Sequence, residues 1–162
     1  MKIKNEKGIS MITLVITIVL LIILTAVGVE EVGDILDEVN KETICTDMLL
    51  IQAKAKVLNE KANFNKDETI LMGQKLSEVT GNTEVEALKT NGIISETEEN
   101  YSKYYIWDKQ TVEELTLGLE NYEDTQIYIV NYATEEVIYP QGYEHTDGNT
   151  YYKLSELLTL EY

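Results

Sequence analysis

The chain has 162 residues, and 29 acidic side chains against 13 basic ones give it a net charge of −16 at pH 7. So acidic a surface repels polyanions, and because every cation is a lysine, the chain lacks the arginine forks that grip phosphate and guanine. We therefore expect no general nucleic-acid binding. Cys45 is the single cysteine, so the chain can form no internal disulfide.

An uncharged stretch follows a short basic leader at the start of the chain. Residues 9–29 are 21 positions without a charge, and at 1.5 Å per residue a helix of that length measures about 31 Å, the thickness of the hydrocarbon core of a bilayer. Hydroxyl side chains can bond back to the helix backbone where water is absent, and they are its only polar members: Ser10, Thr13, Thr17 and Thr25. The sequence therefore predicts a membrane-spanning helix.

Charges of opposite sign flank this helix. Lys2, Lys4 and Lys7 precede it, and five acidic residues follow it over 30–38. The positive-inside rule places the leader in the cytoplasm and the rest of the chain outside. A secretory signal peptide and an uncleaved anchor share these features, but a signal peptide has a shorter apolar region and a small-residue cleavage site, which residues 25–28 imitate poorly.

The junction of the leader and the apolar run carries a family resemblance over Lys7-Gly8-Ile9-Ser10-Met11-Ile12-Thr13-Leu14-Val15. This segment resembles the amino-terminal signature of type IV pilins and of the pseudopilins of type II secretion and competence systems, and the resemblance is specific over residues 1–32. In that family a prepilin peptidase cuts after the glycine and methylates the new amino terminus. The resemblance implies processing between Gly8 and Ile9, then assembly with other pilin subunits on a pilus assembly platform in the membrane.

Two positions depart from the pattern of that family. Ile9 stands where the family has phenylalanine, which keeps bulk and apolarity, whereas Thr13 stands where it has glutamate. In the family this carboxylate pairs with the methylated amine of a neighbouring subunit, so the resemblance implies an assembly role for Thr13 and Leu14 without an ion pair. Either the protein is a minor subunit, or its system replaces the ion pair with hydroxyl and apolar packing.

A helical pattern continues beyond the apolar run without a proline. Apolar residues recur mostly at intervals of three and four, as one face of a helix requires: Val32, Leu36 and Val39, then Ile44, Met48, Ile51, Ala55, Leu58 and Ala62. We predict one helix from Ile9 to Ala62, about 80 Å long, whose upper part packs on the protein's own head. A coiled-coil stalk would show the same pattern.

Two short helical patterns follow a polar break over 63–68. They cover 69–79 and 84–89, and Asn91-Gly92 after the second suits a left-handed helix cap. Ile93-Ile94 is then expected to return to the core. The head is therefore predicted to begin with short helices.

All eleven tyrosines lie from Tyr101 onward, and the composition changes there from helical to strand-like. Period-two and aromatic segments predict strands at 104–107, 126–132, 137–139 and 150–154. The turn over 133–136 joins the second and third of these into a hairpin, which Pro140 is expected to end. A capping box predicts a helix start at Thr111, and a last helical turn is expected over 155–158.

Residues suited to catalysis are few. His145 is the only histidine, and serine, cysteine or zinc chemistry would need partners for it that the sequence does not supply. It lies in a polar turn, where we expect it to be exposed. Asp147-Gly148-Asn149 with Glu144 is similar to an acidic calcium loop but lacks the twelve-residue ligand pattern. We predict no enzyme activity, no metal site and no cofactor, and interpret Cys45 as a small apolar helix residue.

These patterns predict an α+β fold of the pilin-like kind, with a long amino-terminal helix, its first half transmembrane, packed on a small head of short helices and an antiparallel sheet. The expected divisions are a leader over 1–8, a membrane and assembly helix over 9–29, an extended helix over 30–62 and a head over 63–162. With the resemblance they imply a structural filament subunit, held in the cytoplasmic membrane with its head outside and then incorporated into a cell-surface filament. The alternative is a single-pass anchored envelope module that binds a ligand or protein and does not polymerise.

Overall fold

The computed structural model describes residue 17, residues 40–119 and residues 125–160. Thr17 is helical; the predicted leader, the rest of the predicted membrane helix and the extension to residue 39 lie outside the described residues. Within the described part, no helix is both long and apolar enough to span a bilayer. By its contacts, Asn40–Tyr162 forms one unit.

The long helix α1 is described from residue 40 to residue 65. The predicted seam is confirmed, because it is the face that α1 buries: Met48, Ile51, Ala55, Leu58 and Ala62, with Ile44 partly buried. The helix runs three residues beyond its predicted end. It stops where Lys66 takes a φ of 54° and the Asp67 N–H donates to the Ala62 carbonyl at 3.0 Å, which closes the last turn.

In the described part of the chain, five antiparallel strands form a sheet in which each strand pairs with the next in sequence. They are β1 Gln74–Lys75, β2 Tyr104–Trp107, β3 Tyr128–Asn131, β4 Glu136–Glu144 and β5 Thr150–Lys153. The predicted hairpin is confirmed as β3 and β4, with Val130 opposite Val137.

Pro140 does not end this hairpin, contrary to the prediction. β4 continues to Glu144, and its register against β5 shifts between Ile138 and Tyr143. The proline thus falls where the ladder is irregular, so its missing N–H removes no regular ladder bond.

Three short α-helices follow α1 in the described part of the chain: α2 Thr83–Thr90, α3 Lys109–Glu114 and α4 Leu154–Leu157. α2 and α4 agree with the predicted helices at 84–89 and 155–158 within one residue at each end. α3 begins two residues before the predicted start, because the Asp108 carboxylate, and not Thr111, caps it. That carboxylate accepts the Thr111 N–H at 2.9 Å.

The predicted helix over 69–79 is wrong. That segment contains β1 between two 3-10 turns, Glu68–Ile70 and Leu76–Glu78. Gly73 has a φ of 95°, and a Cβ there would lie 2.5 Å from the Ile106 carbonyl oxygen. Only glycine lets the backbone take this conformation so close to β2, so tertiary contact overrides the local helical pattern.

Met72 is the point at which this segment is tied to the sheet. Its carbonyl accepts the Trp107 indole N–H at 3.0 Å and the Tyr132 hydroxyl at 2.9 Å. Its N–H in turn donates to the Tyr132 hydroxyl at 3.1 Å. We call this set of three bonds the Met72 clamp.

The sheet carries a hydrophobic core on each face, because alternate residues of each strand point to opposite sides. One core joins the sheet to α1, α3 and α4 and contains Tyr105, Trp107, Tyr128, Val130 and Val137. The other joins it to α2 and contains Tyr104, Ile106, Ile129 and Ile138, with Ile94 returning to it as predicted. The predicted α+β class with an antiparallel sheet is confirmed.

Candidate functional site

The residues predicted from the sequence to act in processing and assembly are not among those that the structure describes. These are Gly8 and Ile9 for processing and Thr13 and Leu14 for assembly. Among the described residues, most of the exposed large hydrophobic side chains lie on α1.

The outward face of α1 carries apolar side chains as well as polar ones. Leu50 is 43% exposed, Val57 45% and Phe64 88%, and Ala53 between them is exposed too. At 100° per residue these positions lie opposite the buried seam. We call Leu50, Ala53, Val57 and Phe64 the outer stripe. A stripe of this kind on a helix that already covers its own core is typical of contact with another helix.

Polar side chains at the borders of α1 fix which face points outward. The Gln52 amide donates to the Glu135 carbonyl at 2.8 Å, and the Asn59 amide donates to the Tyr132 carbonyl at 2.8 Å. Lys41 donates to the Leu160 carbonyl at 2.6 Å. These bonds hold the helix in one rotational setting on the sheet, with the outer stripe away from it.

Charge is divided unevenly between α1 and the rest of the head. Residues 40–66 contain five lysines and three acids, a net charge of +2, whereas residues 67–162 contain five lysines and twenty acids, a net charge of −15. Lys61 is exposed at the flank of the outer stripe, and so is Lys56, which pairs with Glu135 at 3.2 Å. The side of the unit that carries α1 is therefore the one where a second acidic chain meets least repulsion.

The turn between β4 and β5 holds His145, and the expectation that this histidine is exposed is wrong. It is half-buried, with its ring 6.1 Å from the rings of both Tyr143 and Tyr151. Its Nδ1 is enclosed and has no hydrogen-bond partner within 40–119 and 125–160. The aromatic neighbours make this a packing site.

Asp147 orders the same turn. It accepts the Tyr151 hydroxyl at 2.7 Å and the Asn149 N–H at 2.8 Å, and these bonds lower its pKa to about 2. Its oxygens therefore serve the turn itself. Among the described residues, no group of three or more histidine, cysteine or acidic side chains is placed to hold a metal ion.

Cys45 lies half-buried on α1 against the core that the helix covers. Burial raises the pKa of its thiol. Such a thiol is a poor nucleophile, in keeping with its interpretation as a small apolar residue.

The outer stripe was not predicted from the sequence, although its signal was present. Its members are three, four and seven residues apart, but the stronger seam on the opposite face accounted for the helical pattern by itself.

Comparison with known proteins identifies no relative. The chain matches no protein-family model, no curated protein and no solved structure.

Proposed function

We propose that the protein is a structural subunit of a type IV pilus or a related pilin-like filament, processed by a prepilin peptidase before assembly. The observation that carries this proposal is the Lys7-Gly8-Ile9 junction directly ahead of the uncharged run over 9–29. A basic leader that ends in glycine before a helix long enough to cross a bilayer is the pattern of that family. A secretory signal peptide would instead be cut after its apolar region.

The outer stripe supports a polymerising protein over a solitary one. The inward face of α1 is covered by the protein's own sheet, whereas Leu50, Val57 and Phe64 have no cover within the described part of the chain. Exposed apolar surface of this kind marks a contact site. In a filament, the helices of neighbouring subunits bundle and cover this surface. In the alternative, an envelope module that does not polymerise, the surface stays uncovered.

The charge distribution supports the same arrangement. Heads with a net charge of −15 over residues 67–162 repel one another, so cohesion between copies has to come from another part of the chain. α1, with its apolar stripe and its excess of lysine, is the part suited to supply it.

Thr13 favours a minor subunit within such a filament. A threonine hydroxyl offers only a neutral hydrogen bond to the amine of a neighbouring subunit, where a carboxylate would pair with its charge. Quantitative mass spectrometry of sheared surface filaments tests this, because a minor subunit is scarce beside a glutamate-bearing major one. Finding this protein as the dominant component refutes the minor role and leaves a system that has replaced the ion pair.

Processing is tested on the full chain expressed with a prepilin peptidase. Its intact mass should show an amino terminus at Ile9 that carries one methyl group, and Gly8→Val should retain the leader. Gly28→Val, the same substitution at the far end of the apolar run, is the matched control and should be processed normally. A leader that stays intact in the parent protein refutes the proposal.

Assembly is tested by placing a charge on the outer stripe. Val57→Asp should lower the amount of protein in sheared filaments by about tenfold or more, since an unpaired carboxylate in an apolar contact is unfavourable. Leu158→Asp removes an exposed leucine that is not part of the outer stripe and should leave filaments at the parent level. Complete processing with no polymer from the parent protein would favour the anchored module.

A further inference from the structure

An open cleft of about 620 Å³ lies between the segment 68–78 and α3. The proposed filament role makes no use of it. Leu71 and Met72 supply apolar lining, and Tyr105 of β2 lines it beside them. Its size is that of a small-molecule or side-chain site.

Tyr105 is 4% exposed, and its hydroxyl is bonded to no other described residue. The hydroxyl is nevertheless open to solvent, because the enclosed polar atoms without a partner among the described residues are Asn131 Nδ2 and His145 Nδ1. The hydroxyls of three other buried tyrosines are paired: Tyr104 with Glu98, Tyr128 with Gln126 and Tyr132 with Met72. Packing of the ring against Tyr132, 5.0 Å away, would be served equally by phenylalanine. The hydroxyl of Tyr105, which packing does not explain, is therefore a polar group open to the cleft.

The charged lining of the cleft is acidic. The lining contains one lysine, Lys75, which lies directly opposite Tyr105 in the β1–β2 pair. It also contains four carboxylates: Glu68, Glu78, Asp108 and Glu114. Lys103, from outside the lining, pairs with Glu68 at 2.7 Å, so the three other carboxylates and Lys75 leave a net charge of −2. This charge above an apolar lining favours a ligand that has a cationic tip and an apolar stem.

The hydrogen bonds that these carboxylates already make indicate which kind of cation fits the cleft. On three of them one oxygen is already bonded: Glu68 to Lys103, Asp108 to Thr111 and Glu114 to Gln110. One free oxygen on each suits the separate donors of an ammonium group better than the paired donors of a guanidinium. A metal ion would need three convergent ligands, and no such group is found in the described part of the chain.

We propose that this cleft binds a primary alkylammonium group. The methylene stem lies on Leu71 and Met72, and the three N–H donors of the ammonium bond to the Tyr105 hydroxyl and to carboxylate oxygens of the lining, Glu78 among them. A lysine side chain and a free aliphatic diamine both offer this chemistry.

Binding is tested by calorimetric titration of the full chain, kept in non-ionic detergent, with 1,5-diaminopentane and with Nα-acetyl-lysine N-methylamide. One saturable site is expected. Glu78→Gln and Tyr105→Phe should each weaken binding by about threefold to tenfold. Glu144→Gln removes the same charge from an exposed position on β4 outside the cleft and should leave the affinity unchanged.

A variant that binds more tightly than the parent is also needed, because a misfolded variant could lose affinity but not gain it. Lys75→Gln removes the one cation among the residues that line the cleft and should strengthen binding by about threefold. Preference for the lysine derivative identifies a protein side chain as the natural source of the group, and preference for the diamine identifies a free polyamine. Equal weakening by Glu144→Gln and Glu78→Gln, or equal binding of methylguanidine, overturns the proposal.

Discussion

Replacing Tyr132 by phenylalanine tests how the segment around Met72 is held on the sheet. The hydroxyl is buried, accepts the Met72 N–H at 3.1 Å and donates to the Met72 carbonyl at 2.9 Å. In the variant the carbonyl keeps the Trp107 indole N–H, but the Met72 N–H loses this partner. A buried donor left without its acceptor lowers the free energy of unfolding by about 1–3 kcal/mol.

The same hydroxyl makes stability depend on alkaline pH. Burial raises the pKa of Tyr132 to about 12, from an ordinary value of 10.0. Because the folded state favours the protonated phenol, its contribution is complete below about pH 10 and is lost as the pH rises through about 12. The full difference corresponds to about 3 kcal/mol, and the phenylalanine variant lacks it.

Trp107 reports this unfolding directly. It is the only tryptophan, it is fully buried, and its ring lies 6.4 Å from that of Tyr132. The fluorescence of Trp107 follows urea unfolding of the full chain at about pH 8 and at about pH 11, which lie on either side of the ordinary tyrosine pKa. Tyr152→Phe, which removes a half-buried hydroxyl, is the control for the other tyrosines that titrate. Equal stability of Tyr132→Phe and the parent at the lower pH, or an equal loss of stability by both at the higher pH, would contradict this role of the hydroxyl.

Two further substitutions test the core and the backbone. Ile51→Asp places an unpaired charge on the buried face of α1 and should lower the free energy of unfolding by about 4 kcal/mol or more. Val57→Asp, on the outer stripe, should melt at the same temperature as the parent. Equal melting temperatures for the two variants would mean that the seam is not the core face. Gly73→Ala combines a φ of 95° with a clash on the Ile106 carbonyl, while Gly81→Ala has a φ of 77° and open space around it. Urea unfolding should show a loss of about 1 kcal/mol for Gly81→Ala and at least about twice that for Gly73→Ala, and equal losses would contradict the clash.

Features that depend on neighbouring residues could be predicted from the sequence. The β3–β4 hairpin follows from alternation on both sides of a short turn, and Val130 and Val137 face each other across it. The buried seam of α1 follows from its spacing, and α2 from Asn82, which caps it, and from Asn91-Gly92 at its end. In each case the deciding interactions lie within a few residues of one another.

The wrong predictions concern segments whose structure is set by residues far away in the sequence. The Met72 clamp joins positions 35 and 60 residues apart, and it holds as an edge strand a segment whose own pattern is helical. Pro140 lies in a strand because its register can shift against β5, which the residues around the proline do not reveal. The cleft is assembled from 68–78, β2 and α3, so the unpaired hydroxyl of Tyr105 has no signature in the sequence.

The order of elements along the chain has a consequence during synthesis. Each strand pairs with the next, so the sheet can form by successive hairpins as the chain emerges. α1 emerges before all of them, yet the carbonyls that Gln52 and Lys41 hold lie 83 and 119 residues later. Its seam is therefore not fully covered until α4 has been made, and until then the nascent chain exposes apolar surface that chaperones bind and through which unfinished chains aggregate.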